Sequence, residues 1–131
     1  MGKVIAMKIT RKGTKEILLE RDFTNKDGSL LPSLYFPALE RDGIAMNLIS
    51  TRLGGVSEGQ FRSLNLTTGR GDSKKNVLEN FSRIAAAFGT DPAHCICSYQ
   101  VHETKVRRVG KEDAGMGLLR PMVWESADGV V

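Results

Sequence analysis

Thr51-Arg52-Leu53-Gly54-Gly55-Val56-Ser57-Glu58-Gly59-Gln60-Phe61-Arg62-Ser63-Leu64-Asn65-Leu66 is the most informative stretch of this chain. Glycines at 54, 55, 59 and 69 precede Gly71. Glycine permits positive φ and close backbone approach, so the segment is expected to fold tightly over a substrate or over another loop. Ile44 to Ser50, after Gly43, reads as a buried strand that delivers this loop. Beyond the loop, Val77, Leu78, Phe81, Ile84, Ala85 and Phe88 recur at helical spacing. They form one apolar stripe, which predicts a helix from about Ser73 to Phe88. Asp72 or Ser73 can cap its free amides, and Gly89 can end it in a left-handed conformation.

Working outward, Val4 to Ile9 and Lys15 to Leu19 flank the turn Arg11-Lys12-Gly13-Thr14 and read as a hairpin. Thr24 to Ser29 clusters turn formers and reads as a loop. Leu34-Tyr35-Phe36 ends at Pro37. Asp91-Pro92 has the form of an N-cap followed by proline at the first helical position. Cys95 to His102 and Lys105 to Val109 read as strands. Ala127-Asp128-Gly129-Val130-Val131 opens a further one.

At 131 residues, one domain is expected. The hydrophobic share of 40% fits a globular chain. No apolar run approaches the roughly 20 residues of a membrane helix, and the amino terminus lacks the form of a signal peptide. A cytoplasmic protein with no membrane partner is therefore expected. The net charge of +4 comes from residues of mixed sign, as in Glu20-Arg21-Asp22 and Lys111-Glu112-Asp113. These read as solvated surface, and no nucleic-acid partner is expected. The two cysteines read as reduced, buried thiols. On a regular strand Cys95 and Cys97 would face away from His102, and Cys-x-Cys is not the usual zinc spacing.

Four residues are candidates for chemistry. His102 can offer a metal a neutral imidazole nitrogen. Arg52, at a strand-to-loop junction beside two glycines, suits bidentate phosphate recognition. It would serve equally as a structural arginine pinning loop carbonyls. Ser57 can donate a hydroxyl to the same substrate site, or bond its own turn. Gln100 shares a predicted strand face with His102, so it would orient that ring or meet substrate. Arg52 and Gln100 are the candidate catalytic residues, Arg52 and Ser57 the candidate substrate contacts, and His102 the candidate metal ligand. Arg70-Gly71-Asp72 matches an adhesion tripeptide, and Asp72 is better read as a helix cap.

The Thr51–Leu66 block, Gly71-Asp72, Val77, Asn80, Arg83 and Gln100-Val101-His102 together resemble the laccase-domain family, also called YfiH-like or polyphenol-oxidase-type. The resemblance spans about Phe36 to Val131. It implies an α/β fold with a mixed sheet and packed helices. It implies a zinc-dependent purine nucleoside phosphorylase acting on adenosine, inosine or methylthioadenosine with phosphate, and deaminating adenosine. An alternative family description is copper-dependent oxidation of phenols, so copper is the alternative metal. His102 falls where the family places one of three zinc ligands. The other two belong to an Ala-Asp-Cys motif and a His-x-Gly-Trp-Arg-Gly motif that do not occur in this sequence. The expectation is therefore the amino-terminal portion, residues 1–131, of a single laccase-domain unit. Alone it would be inactive and inclined to self-associate or to pair with a complementing carboxy-terminal segment. A non-catalytic module that binds a nucleoside or an anion is the other reading.

Overall fold

The computed structural model describes residues 8–131. The chain divides into two units, one reaching to Phe88 and the other running from Gly89 to Val131. The first carries an antiparallel sheet and one α-helix. The second carries a parallel strand pair. The fold is α/β with mixed sheets.

In the first unit β1 (Leu19–Thr24) and β2 (Leu30–Tyr35) form a hairpin in continuous register, from Leu19 opposite Tyr35 to Thr24 opposite Leu30. The turn between them is the loop expected at Thr24 to Ser29. The Asn25 amide donates to Ser29 O at 2.8 Å, and Asp27 Oδ1 accepts the Ser29 amide at 3.0 Å and its hydroxyl at 2.6 Å. β3 (Ile49–Ser50) extends the sheet by pairing with Ser33 and Leu34 only, so Pro32 lies outside that second ladder.

The second hairpin strand expected over Lys15 to Leu19 does not form; a strand begins only at Leu19 and runs to Thr24, paired with Leu30–Tyr35. The segment Val4 to Ile9 lies outside the described residues except for Lys8 and Ile9, which carry no regular structure. Glu20-Arg21-Asp22 concealed the strand by resembling solvated charge. Burial nonetheless alternates along β1, and Arg21 takes a covered position. Its guanidinium stacks 3.6 Å from the Tyr35 ring centroid and binds both Glu40 carboxylate oxygens at 3.0 and 2.8 Å. That bidentate pair supplies the partners a partly buried charge requires.

The buried strand expected over Ile44 to Ser50 shrinks to Ile49–Ser50, and Ile44 is 88% exposed. Asn47 accounts for this locally. Its side chain takes the Phe36 amide at 2.8 Å and donates to Phe36 O at 2.9 Å, while its own amide goes to Glu40 Oε1 at 2.8 Å. Side-chain bonds replace a ladder there.

α1 (Lys74–Ala87) follows the sequence closely. Ser73 is its N-cap, accepting from the Asn76 amide at 3.4 Å, and Gly89 adopts φ +72° just beyond its end. The apolar stripe is narrower than the spacing predicts. Val77 and Ala85 are buried, whereas Leu78 and Phe88 are exposed. The third buried residue of the helix is polar, Asn80.

In the second unit Asp91 caps the turn at Pro92–His94 through the Ala93 amide at 2.8 Å, as expected. Cys95 to His102 forms no regular strand, so the face alternation expected there does not apply. Cys95 O and the Cys97 amide instead bond the Gly115 amide and Met116 O at 2.8 and 2.9 Å. Both thiols are half-buried, and burial raises their pKa values. β4 (Val106–Arg107) and β5 (Gly129–Val130) pair in parallel, a shorter version of the two strands expected there.

Candidate functional site

The motif loop closes on itself between Arg52 and Leu64. Arg52 O accepts the amides of Ser63 and Leu64, each at 2.9 Å, and the Ser57 amide donates to Ser63 O at 2.9 Å. Gly54 and Gly55 make this closure sterically feasible. Gly54 has φ +93°, and a Cβ there would lie 2.7 Å from Leu30 O. A Cβ on Gly55 would lie 2.5 Å from Asn80 Oδ1 and from Leu64 Cα, and would collide with the Ser63 carbonyl oxygen. Such separations are well inside van der Waals contact. At these two glycines the tight fold is over the chain itself.

Asn80 fastens the loop to α1. It is 0% exposed, and all of its hydrogen-bonding groups face the motif. Oδ1 accepts the Val56 amide at 2.8 Å, and Nδ2 donates to Ser57 Oγ at 2.9 Å and to Asn65 O at 2.8 Å. Ser57, 2% exposed, donates its hydroxyl to Asp72 Oδ2 at 2.6 Å, and Asn65 Nδ2 donates to the same oxygen at 2.9 Å. Those two bonds, the Ser57 hydroxyl foremost, lower the Asp72 pKa against a smaller opposing desolvation. Asp72 therefore belongs to the loop's interior network. It bonds the Ser73 amide at 2.8 Å but leaves the helix cap to Ser73.

Arg83, one turn along the helix, completes the bracing. Nη1 donates to Gly54 O at 2.9 Å and Nη2 binds Asp27 Oδ2 at 2.7 Å, which ties α1 to both the motif loop and the β1–β2 turn.

Arg52 is exposed, and its Nε and Nη2 both donate to Arg62 O, at 3.1 and 3.0 Å. The carbonyl-pinning role is thus occupied. The same side chain lines an open cleft of about 360 Å³ with Gln60, Phe61, Arg62, Leu64 and Asn65. Arg52 and Arg62 therefore both border one cleft with the amide residues Gln60 and Asn65. Ser57 does not line it; it is buried in the Asp72 network.

His102 and Gln100 belong to the second unit, and both are exposed. His102 has φ +58°, a left-handed backbone that is uncommon for a residue other than glycine. Asp128 holds it there. Oδ1 accepts the amides of Val101 and His102 at 2.9 and 2.7 Å, and Oδ2 accepts those of Glu103 and Lys105 at 3.1 and 3.3 Å. Desolvation works to raise the Asp128 pKa, and the four amides, Glu103 first, overcome it and leave it lowered.

Among the described residues no group of three or more His, Cys, Asp or Glu side chains is placed to hold a metal ion. His102 supplies one imidazole, and a catalytic zinc site takes three protein ligands. The donors present here do not by themselves fit a zinc centre. Each unit has an organising polar residue outside the sequence-derived candidates: Asn80 in the first and Asp128 in the second. Asn80 carries a signal: an amide three residues after Val77, on the otherwise apolar buried face of the helix. Asp128 carries none, since its partners lie more than twenty positions away.

Residues 46–131, well over half of the chain, match the family described as multi-copper polyphenol oxidoreductase laccase. Purine nucleoside phosphorylase YlmD from Geobacillus stearothermophilus is 35% identical over 69 residues, which is 53% of this chain and 25% of that protein. Purine nucleoside phosphorylase YlmD from Bacillus subtilis is 35% identical over 68 residues, 52% of this chain and 24% of that protein. The matched segment spans about a quarter of the length of these relatives. The crystal structure of a hypothetical protein YfiH from Bacillus licheniformis superposes with a TM-score of 0.59 at 26% identity, covering 75% of this chain and 34% of that one. Among the described residues no helix is long and apolar enough to cross a membrane.

Proposed function

Because the chain belongs to the multi-copper polyphenol oxidoreductase laccase family, and because the relatives it matches are named purine nucleoside phosphorylases, we propose that it serves purine nucleoside phosphorolysis. Its own contribution is an anion-holding cleft at Arg52 and Arg62. The substrates in this reading are inorganic phosphate and a purine nucleoside such as adenosine, inosine or methylthioadenosine.

The observation that carries the proposal is that two exposed arginines, Arg52 and Arg62, border one cleft, with the Arg52 guanidinium fixed in orientation by the Arg62 carbonyl. Phosphorolysis transfers a glycosyl group from the purine nitrogen to a phosphate oxygen. The nucleophile is an anion that must be held against an electron-poor sugar carbon. A guanidinium already fixed by the fold loses less side-chain entropy on binding than a free one. It also offers charge-assisted donors to phosphate oxygens. Holding the anion in place lowers the barrier through orientation. Zinc is the metal the family resemblance implies. Among the described residues the donors do not complete a zinc site.

The test is a phosphate titration of the 131-residue chain followed by ³¹P NMR or calorimetry, with hypoxanthine release from inosine measured in parallel. Saturable binding in the roughly millimolar range is expected for two charge-assisted contacts at an open site. Arg62→Ala should weaken it several-fold while leaving the Arg62 carbonyl, and so the Arg52 anchor, in place. Equal phosphate affinity in wild type, Arg52→Lys and Arg62→Ala would refute the assignment of the cleft.

A further inference from the structure

We infer that Asp128 is a positioning residue for His102: its carboxylate gathers the amides of Val101, His102, Glu103 and Lys105 and thereby fixes the left-handed turn that presents the imidazole. The inference goes beyond the proposed function and takes His102 as the candidate site residue that the sequence singles out.

Three observations carry it. His102 is the one non-glycine residue with positive φ among the described residues. A side chain larger than glycine enters that region at a cost, and the surroundings must compensate for it. Four amides at 2.7 to 3.3 Å converge on one carboxylate, two on each oxygen. Turns of this kind orient successive N–H groups into an anion-binding concavity, and here the anion is supplied by the chain. Asp128 is in turn held from behind. Its own amide and that of Gly129 donate to Lys105 O at 2.8 and 3.2 Å. Ser98 Oγ donates to Ala127 O at 2.5 Å and accepts the Ala127 amide at 3.0 Å. The carboxylate thus sits on a clasped strand end, and the turn carrying His102 is wrapped around it. The imidazole takes no part in these four bonds, which are all to backbone amides.

The test uses isotope-labelled 131-residue wild type, Asp128→Ala and Asp128→Asn. Two NMR readouts are taken from each. The first is the backbone: the coupling and shift signature of left-handed φ at His102, with amide exchange at 101, 102, 103 and 105. Asp128→Ala should erase the signature and speed exchange at all four amides by about tenfold or more. Asp128→Asn keeps one acceptor oxygen. It should preserve two of the four amides and release the other two. An unchanged signature in Asp128→Ala, with exchange within about twofold of wild type, overturns the inference. Should Asp128→Ala lose the β4–β5 pairing altogether, the split among the four amides in Asp128→Asn decides instead. Uniform protection there overturns the inference equally.

The second readout is the His102 ring during titrations with zinc ion, inorganic phosphate and inosine. A ring response in wild type that weakens several-fold in Asp128→Ala and recovers in Asp128→Asn supports positioning. A response equal in wild type and Asp128→Ala overturns it. A ring silent to all three probes in wild type, alongside the expected backbone release, refutes His102 as a site residue and leaves Asp128 as the determinant of the turn.

Discussion

Replacing Asn80 with alanine should be the most damaging polar substitution in the first unit. The amide makes three hydrogen bonds from a fully buried position on α1: to the Val56 amide, the Ser57 hydroxyl and Asn65 O. Truncation leaves the Val56 N–H and the Asn65 carbonyl without that partner, while Ser57 retains Asp72. A buried group left unsatisfied costs about 1–3 kcal/mol, and the partial burial of Val56 and Asn65 argues for the lower half of that range. Two such groups, the lost Ser57 bond and a small cavity together come to about 3–4 kcal/mol. That is a large fraction of the roughly 5–15 kcal/mol by which a domain is stable. With a urea slope of about 1.5–2 kcal/mol per molar, the unfolding midpoint should fall by about 2 M. Asn80→Asp is a sharper control. Its carboxylate can still accept the Val56 amide. It then turns an acceptor toward Ser57 Oγ and Asn65 O, and adds charge beside the network that holds Asp72. It should destabilise at least as much as alanine despite its near-identical shape. Urea unfolding of wild type and both variants, followed by circular dichroism, provides the assay. An Asn80→Ala midpoint within about 0.5 M of wild type at unchanged slope would show that the three bonds do not hold the loop to the helix.

Gly55→Ala should prevent the loop from closing, because the new methyl would meet the Ser63 carbonyl, Asn80 Oδ1 and Leu64 Cα. A loss of about 2 kcal/mol or more is expected, and a melting temperature within a degree or two of wild type would contradict the packing described. Acid should destabilise the chain in a defined window. The Ser29 hydroxyl, the Ser29 amide and Arg83, in that order, hold the Asp27 pKa at about 2, below its ordinary 3.8. A depressed carboxylate stabilises fully above its unfolded pKa, and the contribution disappears as pH falls from 3.8 toward 2. Asp27→Asn should reduce the slope of stability against pH in that window. A variant that keeps the wild-type slope would refute the Ser29–Arg83 assignment.

The sequence by itself determined the lineage and the local elements whose signal is local. The Thr51–Leu66 pattern names a family that residues 46–131 match. The spacing from Val77 to Phe88, with Ser73 before it and Gly89 after it, defined α1 nearly to the residue. Periodicity and caps act within a turn or two of chain, so they are written in adjacent residues. The same locality explains the failures. Arg21 resembled surface charge because its partners, Tyr35 and Glu40, lie 14 and 19 positions on. Ile44 to Ser50 resembled a buried strand because nothing nearby reveals that Asn47 binds Phe36 and Glu40 through its side chain.

Tertiary structure decided which polar groups of the motif are committed to the loop's interior and which border an open cleft. Ser57 and Asp72 spend their bonds on each other, on Asn65 and on Asn80, whereas Arg52 anchors the Arg62 carbonyl and still lines a cleft. His102 owes its left-handed backbone to a carboxylate at position 128. A hydrogen bond is satisfied in space, between groups that the chain brings together only after folding. The residue types were legible in the sequence, and their partners were not.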